Sequence, residues 1–226
     1  PDAVSFVLHQ SWVRLPDEGF RPRKADPRAP AIAMTVADYA QPLTGTIEQI
    51  YALRYRLEKN DPTAARSTVK KPIVFYVDNG APEAVRKALQ EGASWWAEAF
   101  DAAGYIDAYR VEILPDGVHP LDARYNVIQW VHRQTRGWSY GNPIIDPRTG
   151  EIIRAVITLG SLRMRQDRRI FEGLVGADGT GKGGPNDPAA VAMARIRQLS
   201  AHEVGHGLGF EHNMAGSSND RASVMD

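Results

Sequence analysis

The run His202-Glu203-Val204-Gly205-His206-Gly207-Leu208-Gly209-Phe210-Glu211-His212 constrains the fold of this 226-residue chain more than any other feature. On an α-helix, residues four apart differ by about 40° in azimuth and about 6 Å in height, so His202 and His206 project from one face. Glu203 lies about 100° round from His202, beside the point where those imidazoles meet. An unbroken helix would carry His212 about 240° round and about 9 Å beyond His206. A third imidazole therefore joins the first two only if the helix ends and the chain turns back. Gly209 takes the left-handed conformation that such a turn needs, without a Cβ penalty. The spacing calls for a helix, a glycine turn and a returning strand, in that order.

Half of the six histidines fall within these eleven residues. Given the chain's own residue frequencies, the five fixed positions arise by chance in about one such sequence in 10⁵. A His-rich surface helix is the bland alternative, and that frequency argues against it. Three neutral imidazoles at about 2.0–2.1 Å hold Zn²⁺ and leave one coordination position open, as a catalytic rather than a structural zinc requires. Zn²⁺ is thus the expected cofactor, with His202, His206 and His212 as ligands. Glu203 is expected to be the general base toward a water activated by the ion.

The rest of the chain divides near Lys70–Pro72. Residues 1–71 read as a β-rich segment, the end of a preceding domain. Val4, Phe6 and Leu8 alternate with their neighbours, as do Leu53, Tyr55 and Leu57, on either side of a Pro-rich and charged loop from Pro16 to Pro30. Residues 72–226 read as an α/β (α+β) unit with a mixed sheet. The apolar run Ile73–Val77 suits a strand buried on both faces. One helix is expected between Pro82 and Gly104, with Val85, Ala88, Leu89, Gly92 and Trp96 along its inner stripe. Strands follow at Tyr109–Leu114 and Asn126–His132. A hairpin comes next, from Trp138–Asp146 through Pro147 to Gly150 into Glu151–Leu159. Residues 173–187 read as a mobile Gly-rich loop. The last helix runs from Pro188 to about Gly207, capped by Asn186 or Asp187.

Other features exclude functions. Lys and Arg number 27, as do Asp and Glu, so charge points to no nucleic acid. No apolar run approaches the roughly 18 residues of a membrane span. The absence of cysteine removes disulfides and thiolate metal sites. Gly176–Gly183 imitates a phosphate-binding loop but has Gly183 where Ser or Thr should stand, so it reads as a flexible loop. Asp178 lacks the partners of a calcium site. His132 reads as packed with Ile128 and Trp130, and His9 and His119 as surface residues. The chain opens at Pro1 with neither an initiator Met nor a signal-peptide pattern and stops at Asp226, which reads as a segment of a longer protein.

The pattern H-E-x-x-H-x-x-G-x-x-H at 202–212 is the metzincin zinc signature. Ser223-Val224-Met225-Asp226 resembles the methionine turn of that family, whereas Met214 follows His212 too closely for the chain to loop under a metal. The chain is similar in particular to large exported bacterial zinc metalloproteases. The resemblance implies a zincin-like twisted mixed sheet with a backing helix and an active-site helix. It further implies a zinc-dependent endopeptidase acting on protein or peptide substrates, bound in extended form along an edge strand within Trp138–Ile145. It implies an extracytoplasmic, periplasmic or secreted location and further domains of the same longer chain. It also implies a lower cleft wall and a tyrosine after the methionine turn, which would lie past Asp226. Two alternatives stand beside this reading, a non-catalytic zinc-containing protease-like module and a metal-dependent hydrolase of non-peptide amides or esters. An intact Glu203 argues against the first.

Overall fold

The computed structural model of the protein describes residues 3–134, 138–220 and 222–226; Pro1, where the sequence begins, lies outside them. In chain order these residues form β1 (Ala33–Ala37), β2 (Glu48–Ala52), β3 (Ser67–Thr68), β4 (Ile73–Val77), α1 (Glu83–Ser94), α2 (Trp96–Ala102), β5 (Tyr105–Ile106), β6 (Tyr109–Ile113), β7 (Asn126–Val131), β8 (Tyr140–Ile145), β9 (Ile152–Gly160), α3 (Ser161–Val175) and α4 (Pro188–Gly207). The main sheet has the order β6-β4-β7-β9-β8. Its first four strands are parallel, and β8 runs antiparallel to β9 at the edge. The expected mixed sheet, backing helix and last helix are all present. Pro143, which cannot donate to a ladder, sits in β8, and an edge strand tolerates it.

Apolar spacing explains the core. Phe75, Val77, Ile157 and Leu159 of the sheet meet Leu89 of α1 with Ile196 and Val204 of α4. β4 is buried on one face only, because Val74 and Tyr76 are half-exposed and the Tyr76 ring stands edge-on to Tyr125 at 5.0 Å. Helices α1 and α4 are tied by Ser200 Oγ donating to the Leu89 carbonyl at 2.7 Å and by the Arg197–Glu91 pair at 2.6 Å. The single helix expected before Gly104 is two helices that meet at Trp95. The Ser94 hydroxyl donates back to the Gln90 carbonyl at 2.7 Å, a competing bond that bends helices.

Other expectations are corrected. Helix α3 was not foreseen; its sequence mixes four arginines with scattered apolar residues, and in the fold Asp167 is its one buried residue. Residues 3–17 form no ladder among the described residues, and Phe6 and Trp12 are 80% and 94% exposed. Alternation makes a strand only where a partner strand is in reach. Leu53–Leu57 is likewise outside any ladder, touching the sheet through an isolated Arg54–Glu151 bridge and an Arg56–Glu151 ion pair at 2.7 Å. His132 is exposed rather than packed, bonded to Ser161 Oγ at 2.8 Å. His9 and His119 lie exposed as expected, stacked on each other. No helix among the described residues is long and apolar enough to cross a membrane.

The loop that imitates a phosphate site is tied to the protein's own anion. The Gly181 and Gly183 amides each donate to the Asp187 carboxylate at 2.9 Å, and Ala189 N–H donates at 2.8 Å to cap α4. Those amide bonds, Gly181 first, hold the Asp187 carboxyl below its ordinary pKa. A pKa lowered in the folded state adds stability above the unfolded value and forfeits it as pH falls through the folded one. Asp187→Asn is therefore expected to lower Tm at pH 7, with the deficit shrinking as pH drops below about 4. Equal deficits at pH 7 and pH 3 in thermal melts would contradict this account.

Candidate metal centre

Helix α4 carries His202 and His206 to one face, and its end is built from the backbone. Gly209 has φ +98°. Phe210 N–H donates to the Gly205 carbonyl at 2.9 Å and Gly209 N–H to His206 O at 3.0 Å, the paired bonds of a glycine C-terminal cap. The chain then reverses as the spacing requires, and His212 faces the first two rings. One donor nitrogen from each of His202, His206 and His212 lies within 4.8 Å of the others. His202 Nε2 and His212 Nε2 are 3.3 Å apart. Two nitrogens on one tetrahedral zinc at about 2.0–2.1 Å would stand about 3.3–3.4 Å apart, so this pair already has the spacing.

The outer ring nitrogens fix which atom faces inward. His202 Nδ1 bonds the Val224 carbonyl at 2.7 Å, and His206 Nδ1 bonds the Phe210 carbonyl at 2.8 Å. A carbonyl only accepts, so each Nδ1 carries the proton and each Nε2 presents a lone pair, the arrangement seen behind metal-bound histidines. Burial, the largest cause, also lowers the pKa of His202 and favours the neutral ring that a metal needs. These carbonyls carry no side-chain signature, and sequence reasoning missed both. Their signal was positional only: one lies four residues after His206 and the other just before the methionine of the turn.

Met225 is buried at 4% exposure beneath α4, while its rival Met214 is 76% exposed. A Cβ on Gly205 would fall 2.2 Å from Met225 Sδ and 2.7 Å from Trp96 Cζ2, so only glycine lets the methionine lie against the helix. Trp96 completes the underside, donating from Nε1 to Ala201 O at 2.8 Å and stacking on Phe210 at 5.0 Å. The segment that bears His212 makes an isolated bridge, Phe210 to Ala31, in place of the expected returning strand, and Asn213 N–H ties it to the turn by donating to Met225 O at 2.7 Å. Met225→Ala should destabilise the fold by about 2–4 kcal/mol in denaturant titrations, and Met225→Leu by less than about 1.5 kcal/mol. Equal losses in both would mean that shape rather than volume governs the contact.

Glu203 is buried at 6% exposure. Burial pushes its carboxyl up to about 7. A group of that pKa both accepts and returns a proton near neutrality. The edge strand packs close by: a Cβ on Gly141 of β8 would sit 2.2 Å from the Glu203 carbonyl. The arrangement places three converging imidazoles, two of them with an inward lone pair, a buried carboxyl and a strand edge in one region.

Comparison with known proteins agrees with this description. Residues 184–226 match the model of a family described as Met-zincin, and residues 1–60 match that of a family described as Domain of unknown function (DUF5117). The first match spans the cap of α4, the three histidines, Gly209 and Met225, so the similarity to that family covers the site. No curated protein matches the chain. Among solved structures the chain is similar to metalloproteinase-II from Bacteroides fragilis, with 13% identity and a TM-score of 0.38 over 85% of this chain. It spans 58% of the length of that protein.

Proposed function

We propose that this chain carries the site of a zinc-dependent endopeptidase, with His202, His206 and His212 holding the ion through Nε2 and Glu203 as the catalytic base. The observation that carries it is the pairing of the inward Nε2 lone pairs of His202 and His206, each backed by a carbonyl at Nδ1, with a buried carboxyl on the same helix. When bound, zinc would acidify water and polarise a carbonyl. Glu203 takes the proton of the attacking water and delivers it to the leaving amine, which its near-neutral pKa suits. The edge of β8 offers backbone groups to an extended substrate, so protein or peptide substrates are proposed. Gly209 shapes the turn that brings His212 in, and Met225 supports the helix from below. Residues 1–71 as the end of a preceding domain, 72–226 as the catalytic unit, further domains and an extracytoplasmic location are proposed on the resemblance alone.

The test is hydrolysis of a peptide library by the protein with zinc, after chelation, and after zinc is restored. Cleavage of internal peptide bonds that stops on chelation and returns with zinc is the expected result. Stoichiometric zinc binding with no hydrolysis of any peptide would favour the non-catalytic module instead.

A further inference from the structure

The ground next to His212 has a wall that the zinc motif does not supply. A cavity of about 560 Å³ lies between residues 25–33 with Ile50 on one side and residues 211–215 on the other. Backbone bonds join its two sides. Ile32 N–H donates to Gly209 O at 2.8 Å, and Glu211 N–H donates to Pro30 O at 3.0 Å, so the N-terminal segment is bonded to the segment that delivers His212. The lining is largely apolar, with Pro27, Pro30 and Ala33 beside Ile50 and Met214, which are 47% and 76% exposed. Its one cation is already satisfied, because Arg28 grips the Asp26 carboxylate at 2.6 Å. The two prolines fix their own backbone angles, which stiffens the wall.

We propose that this cavity is a substrate subsite for a large apolar side chain such as Leu, Met or Phe. The N-terminal segment thereby helps to choose which peptides are bound. The inference rests on the endopeptidase reading. The occupant follows from His212, which both lines the cavity and belongs to the three-histidine group, so a peptide lying across that group has a neighbouring side chain at the cavity mouth. The volume lies within the range of about 300–1,000 Å³ that small-molecule pockets span, and apolar walls without an unpaired cation select against acidic side chains.

The test uses two variants that change the cavity in opposite senses, Ile50→Trp, which narrows it, and Met214→Ala, which widens it. Fluorescent peptides that differ at one position (Ala, Leu, Phe or Trp) are bound to the zinc-loaded Glu203→Gln form and hydrolysed by the form with Glu203. At one peptide position, Ile50→Trp should lower the Phe-to-Ala preference about 10-fold, and Met214→Ala should raise the Trp-to-Ala preference. Unchanged preferences in both folded variants would overturn the subsite. Binding preferences that shift while no peptide is ever cut would support the subsite and refute the endopeptidase reading. No peptide binding at all would remove both.

Discussion

Glu203→Gln is expected to keep one zinc ion per chain and to lose about 10³-fold in peptide hydrolysis. Glutamine has the same shape but cannot take a proton, so the change removes the base and leaves the three imidazoles, and the carbonyl partners of His202 and His206, in place. Zinc content by mass spectrometry of the native protein, beside single-turnover rates, separates the two effects. A Gln form that cleaves as fast as the parent would show that the base is another group. The same substitution has an opposite effect on stability in the metal-free protein. Burial raises the Glu203 pKa from 4.5 to about 7, so the folded state binds more protons than the unfolded state between those values. Stability tied to the protonated carboxyl is full below the unfolded pKa and declines as pH rises through the folded one. Glu203→Gln should therefore be more stable than the parent at pH 8 and nearly equal to it at pH 4. Such a gain is what a buried catalytic group forfeits for its function.

How much of this was legible in the sequence follows from how local each cause is. The course of α4, a cap at Asn186 or Asp187 and the reversal at Gly209 depend on residues within one or two turns of each other. Spacing alone exposes such relations. The hairpin of β8 and β9 was legible for the same reason, since the Thr149 and Gly150 amides both close on the Asp146 carbonyl, at 3.2 and 2.9 Å.

The misses depend on distant partners. Alternation at Val4, Phe6 and Leu8 looks like a strand, yet pairing needs a neighbour that sequence cannot name. Helix α3 was hidden because it is mostly solvated, held to its neighbours by few apolar residues and stabilised by pairs such as Arg163–Asp167 at 3.0 Å. At the site, sequence spacing named the three histidines that the fold brings together and missed what surrounds them: the Val224 and Phe210 carbonyls, the Trp96 indole and the bonds from residues 30–32. Backbone groups are the same at every position, so only the fold reveals which are used.

The glycine turn gives the second large effect. Gly209→Val should destabilise the protein by about 3 kcal/mol or more, combining backbone strain at positive φ with a steric clash. It should also weaken zinc binding by at least about 10-fold. The reason is geometric. At φ +98° an L-residue is strained whatever the space around it, and here a Cβ would also meet the Leu53 carbonyl oxygen at 2.6 Å. That oxygen is backbone and cannot swing aside as a side chain would. Relief requires the turn to open, which shifts the Phe210 carbonyl that holds His206 and the segment that bears His212. Gly117→Val supplies the comparison, because Gly117 has φ +79° with nothing within 4 Å of its would-be Cβ. It should show the strain of about 1–2 kcal/mol alone and leave zinc affinity as it was. Isothermal titration with zinc on both variants, at a temperature where each remains folded, reads the difference. If Gly209→Val bound zinc as tightly as Gly117→Val, a continuous helix would serve the three histidines equally well, and the turn would have no part in assembling the site.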